Sequence, residues 1–147
     1  MPNEAIYYDK VRPIEVDFEN IVHHATYLIW CENSRFNFFE NVVGTPIEKF
    51  QSNKNIDIVI LESNVKYIKS LSLGDKYYVK SRIEKINNLK FKFIDYVYDS
   101  KDKICVKGEF IAIGIDSINK KPVRNLVNQL EEYFSSNFSN EDNSIRG

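Results

Sequence analysis

The chain predicts an α+β domain: one long aromatic helix near the N-terminus, a run of antiparallel strands, and a closing amphipathic helix. Three observations carry this. Leu28, Cys31, Phe38, Phe39 and Val42 recur at three- and four-residue steps, the spacing of one helix face. Apolar and polar residues alternate at period two from Tyr77 to Glu84 and again from Leu89 to Phe93, on either side of Asn87-Asn88. Leu126, Val127, Leu130, Tyr133 and Phe134 return to helical spacing after Pro122.

In chain order, Tyr7 to Val16 reads as a first strand, with Pro13 suited to a bulge or a sheet edge because it has no N–H to give a ladder. The helix that follows carries Tyr27, Trp30 and Phe36 beside its main apolar face, so it is expected to be buried over much of its circumference and to need a sheet around it. Gly44 and Pro46 end it. Ile56 to Ile68 is a second strand, and the alternating runs joined at Asn87-Asn88 form a hairpin. After a polar turn from Ser100 to Lys103, Ile104 to Ile115 is a long strand apolar on both faces. Val123 to Phe138 closes the domain as a helix, and residues 135–147 lose apolar content and should fray. Residues 1–134 therefore read as one domain, followed by a polar tail.

Composition agrees with this. A chain of 147 residues, 43% hydrophobic and 28% charged, has enough apolar material for a single core. Its formal charge of −1, from 20 basic and 21 acidic residues, argues against a general nucleic-acid binder. There is no apolar run of membrane-spanning length, and the Met1-Pro2-Asn3-Glu4 start lacks a basic segment leading into an apolar one, so the expected address is cytoplasmic. Cys31 and Cys105 are too few for a disulfide framework and are expected to be reduced thiols, Cys31 within the core.

The chemistry is expected between Asp17 and Tyr27. Asp17 ends a strand-like run shortly before the helix, and no Ser, Thr or Asp cap stands immediately before Ala25, so the first helical amides are left for a ligand. Those amides carry the positive end of the helix dipole and can hold a carbonyl oxygen as charge develops on it, while a carboxylate attacks the carbon or draws a proton from water. His23 and His24 are adjacent, so they cannot converge on one metal ion, and no metal site is expected. Glu32 and Arg35, three apart, are expected to form a structural ion pair. Lys66, Lys69, Lys85, Lys90 and Lys92 read as solvated strand faces.

Asp17, Ile21-Val22-His23-His24, Tyr27-Leu28, Cys31-Glu32, Arg35 and Phe38-Phe39 resemble the active-site loop and first helix of the 4-hydroxybenzoyl-CoA thioesterase family, especially its Tol-Pal-associated acyl-CoA thioesterase branch. Tyr67-Ile68-Lys69-Ser70 running into Gly74-Asp75 is similar to the family's second-to-third strand connection, and Ile115-Asp116 with Lys120-Lys121-Pro122 to the strand end before its last helix. The resemblance covers residues 7–134. It implies a hotdog fold, with about five strands wrapped around the helix, and hydrolysis of an acyl-CoA thioester without a cofactor. Asp17 would be nucleophile or general base. His24 would bond to Asp17 or orient water, and Asn20, Ile21, Val22, His23 and Tyr27 would border the acyl site. Lys69 and Lys90 would meet the phosphates of coenzyme A. The chain departs from the family at Asn20, where glycine is usual, and at Pro13, where that branch often has tyrosine. Two other readings are a hotdog hydratase or dehydratase and a noncatalytic acyl-binding protein. An exposed sheet edge favours a homodimer, and the resemblance implies paired dimers, with coenzyme A or an acyl carrier protein as thiol carrier.

Overall fold

The computed structural model describes residues 3–132. Five strands form one antiparallel sheet: β1 (Glu4–Lys10), β2 (Ile56–Tyr67), β3 (Lys76–Lys85), β4 (Lys90–Asp99) and β5 (Ile104–Asp116), in the order β1-β3-β4-β5-β2. Helix α1 (His24–Phe38) lies against the inner face, continues into a π-helical turn at Phe39–Val43 and stops at Gly44, whose φ of 84° suits a residue without Cβ. Helix α2 (Ile47–Lys54) leads into β2, and residues 126–132 are helical. Five strands, a long central helix and a closing helix are present as the patterning implies, the closing helix starting at residue 126 rather than at Val123. Residues 133–147, including Tyr133, Phe134 and the expected tail, lie outside the described residues.

Period-two alternation explains the sheet. In β3 and β4, Val79, Ser81, Ile83, Phe91, Phe93, Asp95 and Val97 are all buried, and the residues between them face the other way. The core divides into a cluster around Phe38, Phe39, Phe50 and Phe93 and a second around Trp30, Tyr77, Val79 and Val97. Trp30 stacks on Tyr77 at 3.8 Å between ring centroids, locking the first half of α1 to the sheet.

Three expectations need correction. The first strand does not run to Val16: β1 ends at Lys10, and Pro13–Glu15 form a single 3-10 turn. Val11 follows in the same register, its N–H bonding Asp75 O at 2.8 Å just before β3, and Pro13 then opens the turn, where a missing N–H costs nothing. Nor is α1 buried over much of its circumference in the single chain. Its buried stripe is Tyr27, Trp30, Cys31, Ser34 and Phe38, whereas Leu28 and Phe36 are each 40% exposed. Helix α2 was not expected. Its signals are Pro46 before Ile47, an acid at Glu48 in the first turn and a base at Lys54 in the last, but only Phe50 is buried, too little for periodicity to show.

Gly114 marks a close approach. A Cβ there would sit 2.6 Å from Leu126 Cδ2 and 3.2 Å from Ile56 Cγ2. Gly114→Ala is expected to displace Leu126 and cost about 1–3 kcal/mol, read as a lower denaturation midpoint in urea.

Candidate active site

Asp17 sits in a small closed loop. Val16 and Val22 form an antiparallel bridge, Asp17 N–H bonds Ile21 O at 3.0 Å, and Asn20 N–H bonds Asp17 O at 3.0 Å. The Asp17 side chain completes the turn: Oδ1 accepts from the N–H of Glu19 at 2.8 Å and of Ile21 at 3.3 Å. Asn20 takes φ 64°, a left-handed conformation that asparagine adopts more readily than most residues, so the turn forms without glycine. The loop is pinned from outside by Val22 N–H to Leu71 O at 3.0 Å and Leu73 N–H to Asn20 O at 3.2 Å. Asp17 is thereby held half-buried on a fixed backbone.

Helix α1 starts beside this loop. His23 stands at its N-cap and makes no side-chain cap hydrogen bond. Its own N–H bonds Glu15 O at 3.1 Å, and the Glu15 carboxylate also receives Arg12 N–H and the Trp30 indole N–H. Glu15 thus ties the 3-10 turn to the helix.

The helix start opens on a groove of about 250 Å3 lined by His24, Tyr27, Tyr67, Ile68, Lys69 and Ser70. The His24 ring stacks on Tyr67 at 4.5 Å, and Tyr67 Oη donates to His24 O at 3.4 Å. Tyr27 is buried, which raises its phenol pKa, and its oxygen accepts the Leu71 N–H at 3.1 Å. Its ring forms a wall of the groove.

The Lys69 ammonium pairs with Asp99. That hydrogen bond, helped by the N–H groups of Lys103 and Lys101, holds the Asp99 carboxyl down at about 2, and the pairing raises Lys69. Because the folded pKa is depressed, this pairing stabilises the fold above the ordinary carboxylate range and is lost as pH falls toward about 2. Lys69→Met is expected to move the Asp99 midpoint upward in a carboxyl NMR titration.

His24, Tyr27 and Lys69 therefore share one groove. Asp17 stands in the adjoining loop, its Oδ1 engaged in the turn, with no hydrogen bond or ion pair to His24 among the described residues. His23 is exposed, Ile21 and Val22 act as bridge residues, and Lys90 lies elsewhere. Asp99 beside Lys69 ends the ten-residue β4 and Lys90 begins it, about 30 Å away at roughly 3.3 Å per residue.

Beneath α1 lies a polar network that the sequence reading missed. Arg35 pairs not with Glu32 but with the fully buried Asp95, Nη1 to Oδ2 at 2.9 Å. Ser81 Oγ donates to Asp95 Oδ1, Ser34 bonds Ser81, and the Arg35 guanidinium lies 4.5 Å over the Phe110 ring. Burial raises the Asp95 pKa to about 6, against the opposing pull of Arg35 and Ser81. The available signal was a carboxylate at an inward position in Phe91, Phe93, Asp95, Val97, where alternation demands an apolar residue.

Among the described residues no helix is long and apolar enough to cross a membrane. Comparison with known proteins places the chain in context. A family model, the thioesterase-like superfamily, matches residues 11–126. YneP of Bacillus subtilis (strain 168), provisionally named an acyl-CoA thioesterase, is 27% identical over 117 residues, covering 78% of this chain and 82% of its own. The chloroplastic acyl-acyl carrier protein thioesterase ATL3 of Arabidopsis thaliana is 28% identical over 116 residues; they cover 78% of this chain but 60% of the plant protein. The fold matches that of a DHNA-CoA thioesterase from Staphylococcus aureus with a TM-score of 0.76 at 22% identity, covering 96% of this chain and 95% of the other.

Proposed function

The chain belongs to the thioesterase-like superfamily, and from that premise we propose that it is a thioesterase hydrolysing an acyl-CoA to a carboxylic acid and free coenzyme A, of the 4-hydroxybenzoyl-CoA thioesterase type and nearest its Tol-Pal-associated branch. The observation that carries this reading is the helix start without a side-chain cap, which opens on the groove of His24, Tyr27 and Lys69 and follows a turn that fixes the Asp17 carboxylate.

In this mechanism the thioester carbonyl oxygen lies at the first amides of α1, which stabilise the charge that develops on it. The turn uses Asp17 Oδ1, so Oδ2 is the oxygen directed to chemistry. As a general base, Asp17 takes a proton from water while the water oxygen bonds to the carbonyl carbon. The C–S bond then breaks, the thiolate leaves and takes up a proton, and the acid is released. As a nucleophile, Asp17 forms an acyl anhydride with the same leaving group, and water then hydrolyses it. A thiol of pKa about 8.5 leaves without a strong acid beside it. His24 orients water, and Tyr27 borders the acyl group together with Asn20, Ile21, Val22 and His23.

The working unit in this proposal is one catalytic domain, residues 1–134, assembled as a homodimer or a pair of dimers. The edge strand β2 leaves Val59, Ile60 and Leu61 exposed, and α1 exposes Leu28 and Phe36, so a second copy would cover apolar surface and an open ladder together. Lys90 is remote from the groove of its own chain.

The test is free-thiol release from a panel of aliphatic and aromatic acyl-CoAs and acyl carrier protein thioesters, against heat-treated protein. Release that is saturable and lost on heating, with acyl-CoAs preferred, is the expected result. Turnover of carrier-protein thioesters alone removes the coenzyme A assignment, and no release at all removes the hydrolase reading.

A further inference from the structure

The sheet face turned away from α1 carries a row of tyrosines flanked by Lys10 and Lys76 on one side and Lys80 on the other. Tyr8, Tyr78 and Tyr98 are direct cross-strand neighbours on β1, β3 and β4. Their rings lie 5.5 Å apart between Tyr8 and Tyr78, and 5.0 Å apart, nearly parallel, between Tyr78 and Tyr98. Tyr8 is 71% exposed. By the two-residue period of a strand, Lys10 and Lys76 lie on the same face on one side of this row, directly opposite each other, and Lys80 lies on the other side, its ammonium 5.4 Å over the Tyr98 ring. None of these three lysines forms an ion pair among the described residues. Like charges set opposite each other cost stability, and here an anion would relieve it.

This platform borders a groove of about 410 Å3 lined in part by Tyr8, Tyr78, Lys76, Ser100 and Asp102. A smaller groove shares Lys76 and Ser100 with it and Lys69 with the groove at the start of α1. The three grooves follow one another along one chain through these shared residues, from His24 past Lys69 and Lys76 to Tyr8. Asp99, which holds Lys69, is buried on the α1 side of β4, and its neighbour Tyr98 belongs to the tyrosine row on the other face, so the path between them turns round the end of the sheet.

We infer that Tyr8, Tyr78, Lys10 and Lys76 form a nucleotide-binding platform that takes the phosphorylated adenosine end of coenzyme A, while the pantetheine arm follows these grooves to the start of α1. The inference rests on the thioesterase reading and moves the nucleotide from Lys90 to the opposite end of the sheet. A purine base stacks on the exposed tyrosine face, and the phosphates meet Lys10 and Lys76. Asp102, which accepts from Tyr78 Oη at 2.7 Å, is the one carboxylate lining the larger groove.

The experiment measures two things on the native chain and on Tyr8→Ala, Lys76→Glu and Lys90→Ala: calorimetric binding of adenosine 3′,5′-bisphosphate, and KM and kcat for one acyl-CoA and the matching acyl-pantetheine. Nucleotide affinity and KM for acyl-CoA are expected to worsen about tenfold or more in Tyr8→Ala and Lys76→Glu, with kcat and acyl-pantetheine hydrolysis kept and Lys90→Ala unchanged. Tyr8 and Lys76 are exposed, so both variants should keep the native melting temperature, and if one does not fold the other carries the test. Nucleotide binding that these two changes leave intact, or that Lys90→Ala abolishes instead, overturns the platform. So does hydrolysis of acyl-CoA without nucleotide binding, or binding of single-stranded oligonucleotide without the mononucleotide. Nucleotide binding sensitive to Tyr8 and Lys76 in a protein that hydrolyses nothing supports the platform and removes the hydrolase reading.

Discussion

Replacing Asp17 with asparagine is expected to lower kcat/KM for thioester hydrolysis at least about a hundredfold while leaving the fold intact. The two effects separate because the side chain has two tasks. As a turn residue, Asp17 accepts from the N–H groups of Glu19 and Ile21 through one oxygen, and an asparagine carbonyl oxygen can do the same. As a base or nucleophile it needs the charge and the second oxygen, and an amide offers neither. Asp17→Ala loses both, so it should be as inactive as the asparagine variant and also less stable by about 1 kcal/mol for the lost turn bonds. Thiol release and urea denaturation of the three proteins decide the matter. Equal rates in native and asparagine proteins would sink the mechanism.

The largest stability effect is expected at the network beneath α1. Arg35→Met leaves the Asp95 carboxylate buried without its cation and should destabilise the protein by about 3–5 kcal/mol near neutral pH, because the desolvation cost remains and the compensating charge is gone. The pH dependence makes the test specific. In the native chain the Asp95 pKa stands at about 6, above the ordinary value of 3.8, so the folded state binds the proton more tightly than the unfolded chain does. This group's contribution is therefore fully present below the ordinary value and is lost as pH rises through about 6, the reverse of a paired surface carboxylate. Removing Arg35 pushes the pKa higher still. The penalty of Arg35→Met should then shrink as pH falls toward 5, where Asp95 is protonated and can still engage Ser81. Denaturation midpoints across pH 5 to 8 give the answer, and a penalty that does not change with pH would mean that Asp95 is not the group left exposed to the loss.

Asp95 also shows where sequence reading stops. Its place in an otherwise apolar alternating row was visible in the chain, but its partner was not. Arg35 has Glu32 one turn away on the same helix, and local spacing favours that pair. The structure instead buries the guanidinium against Phe110, beyond the reach of local rules, because packing α1 on β4 joins residues about sixty positions apart.

What the sequence determined by itself was set by short-range periodicity: the β3–β4 hairpin around Asn87-Asn88, the long β5, the helix from His24 with its stop at Gly44, and the uncapped start of that helix. These follow from backbone geometry and side-chain alternation within a few residues. Where β1 ends was decided by tertiary structure, because its partner β3 begins at Lys76, opposite Lys10. Register decided the platform too. Tyr8, Tyr78 and Tyr98 are scattered through the chain, and only the pairing of β1, β3 and β4 sets them in one row with lysines on both sides. The site divides in the same way. Asp17 and the free helix start are local features, whereas the groove that joins His24 and Tyr27 to Lys69 exists because β2 returns its far end to the first turn of α1, a contact that no local spacing encodes.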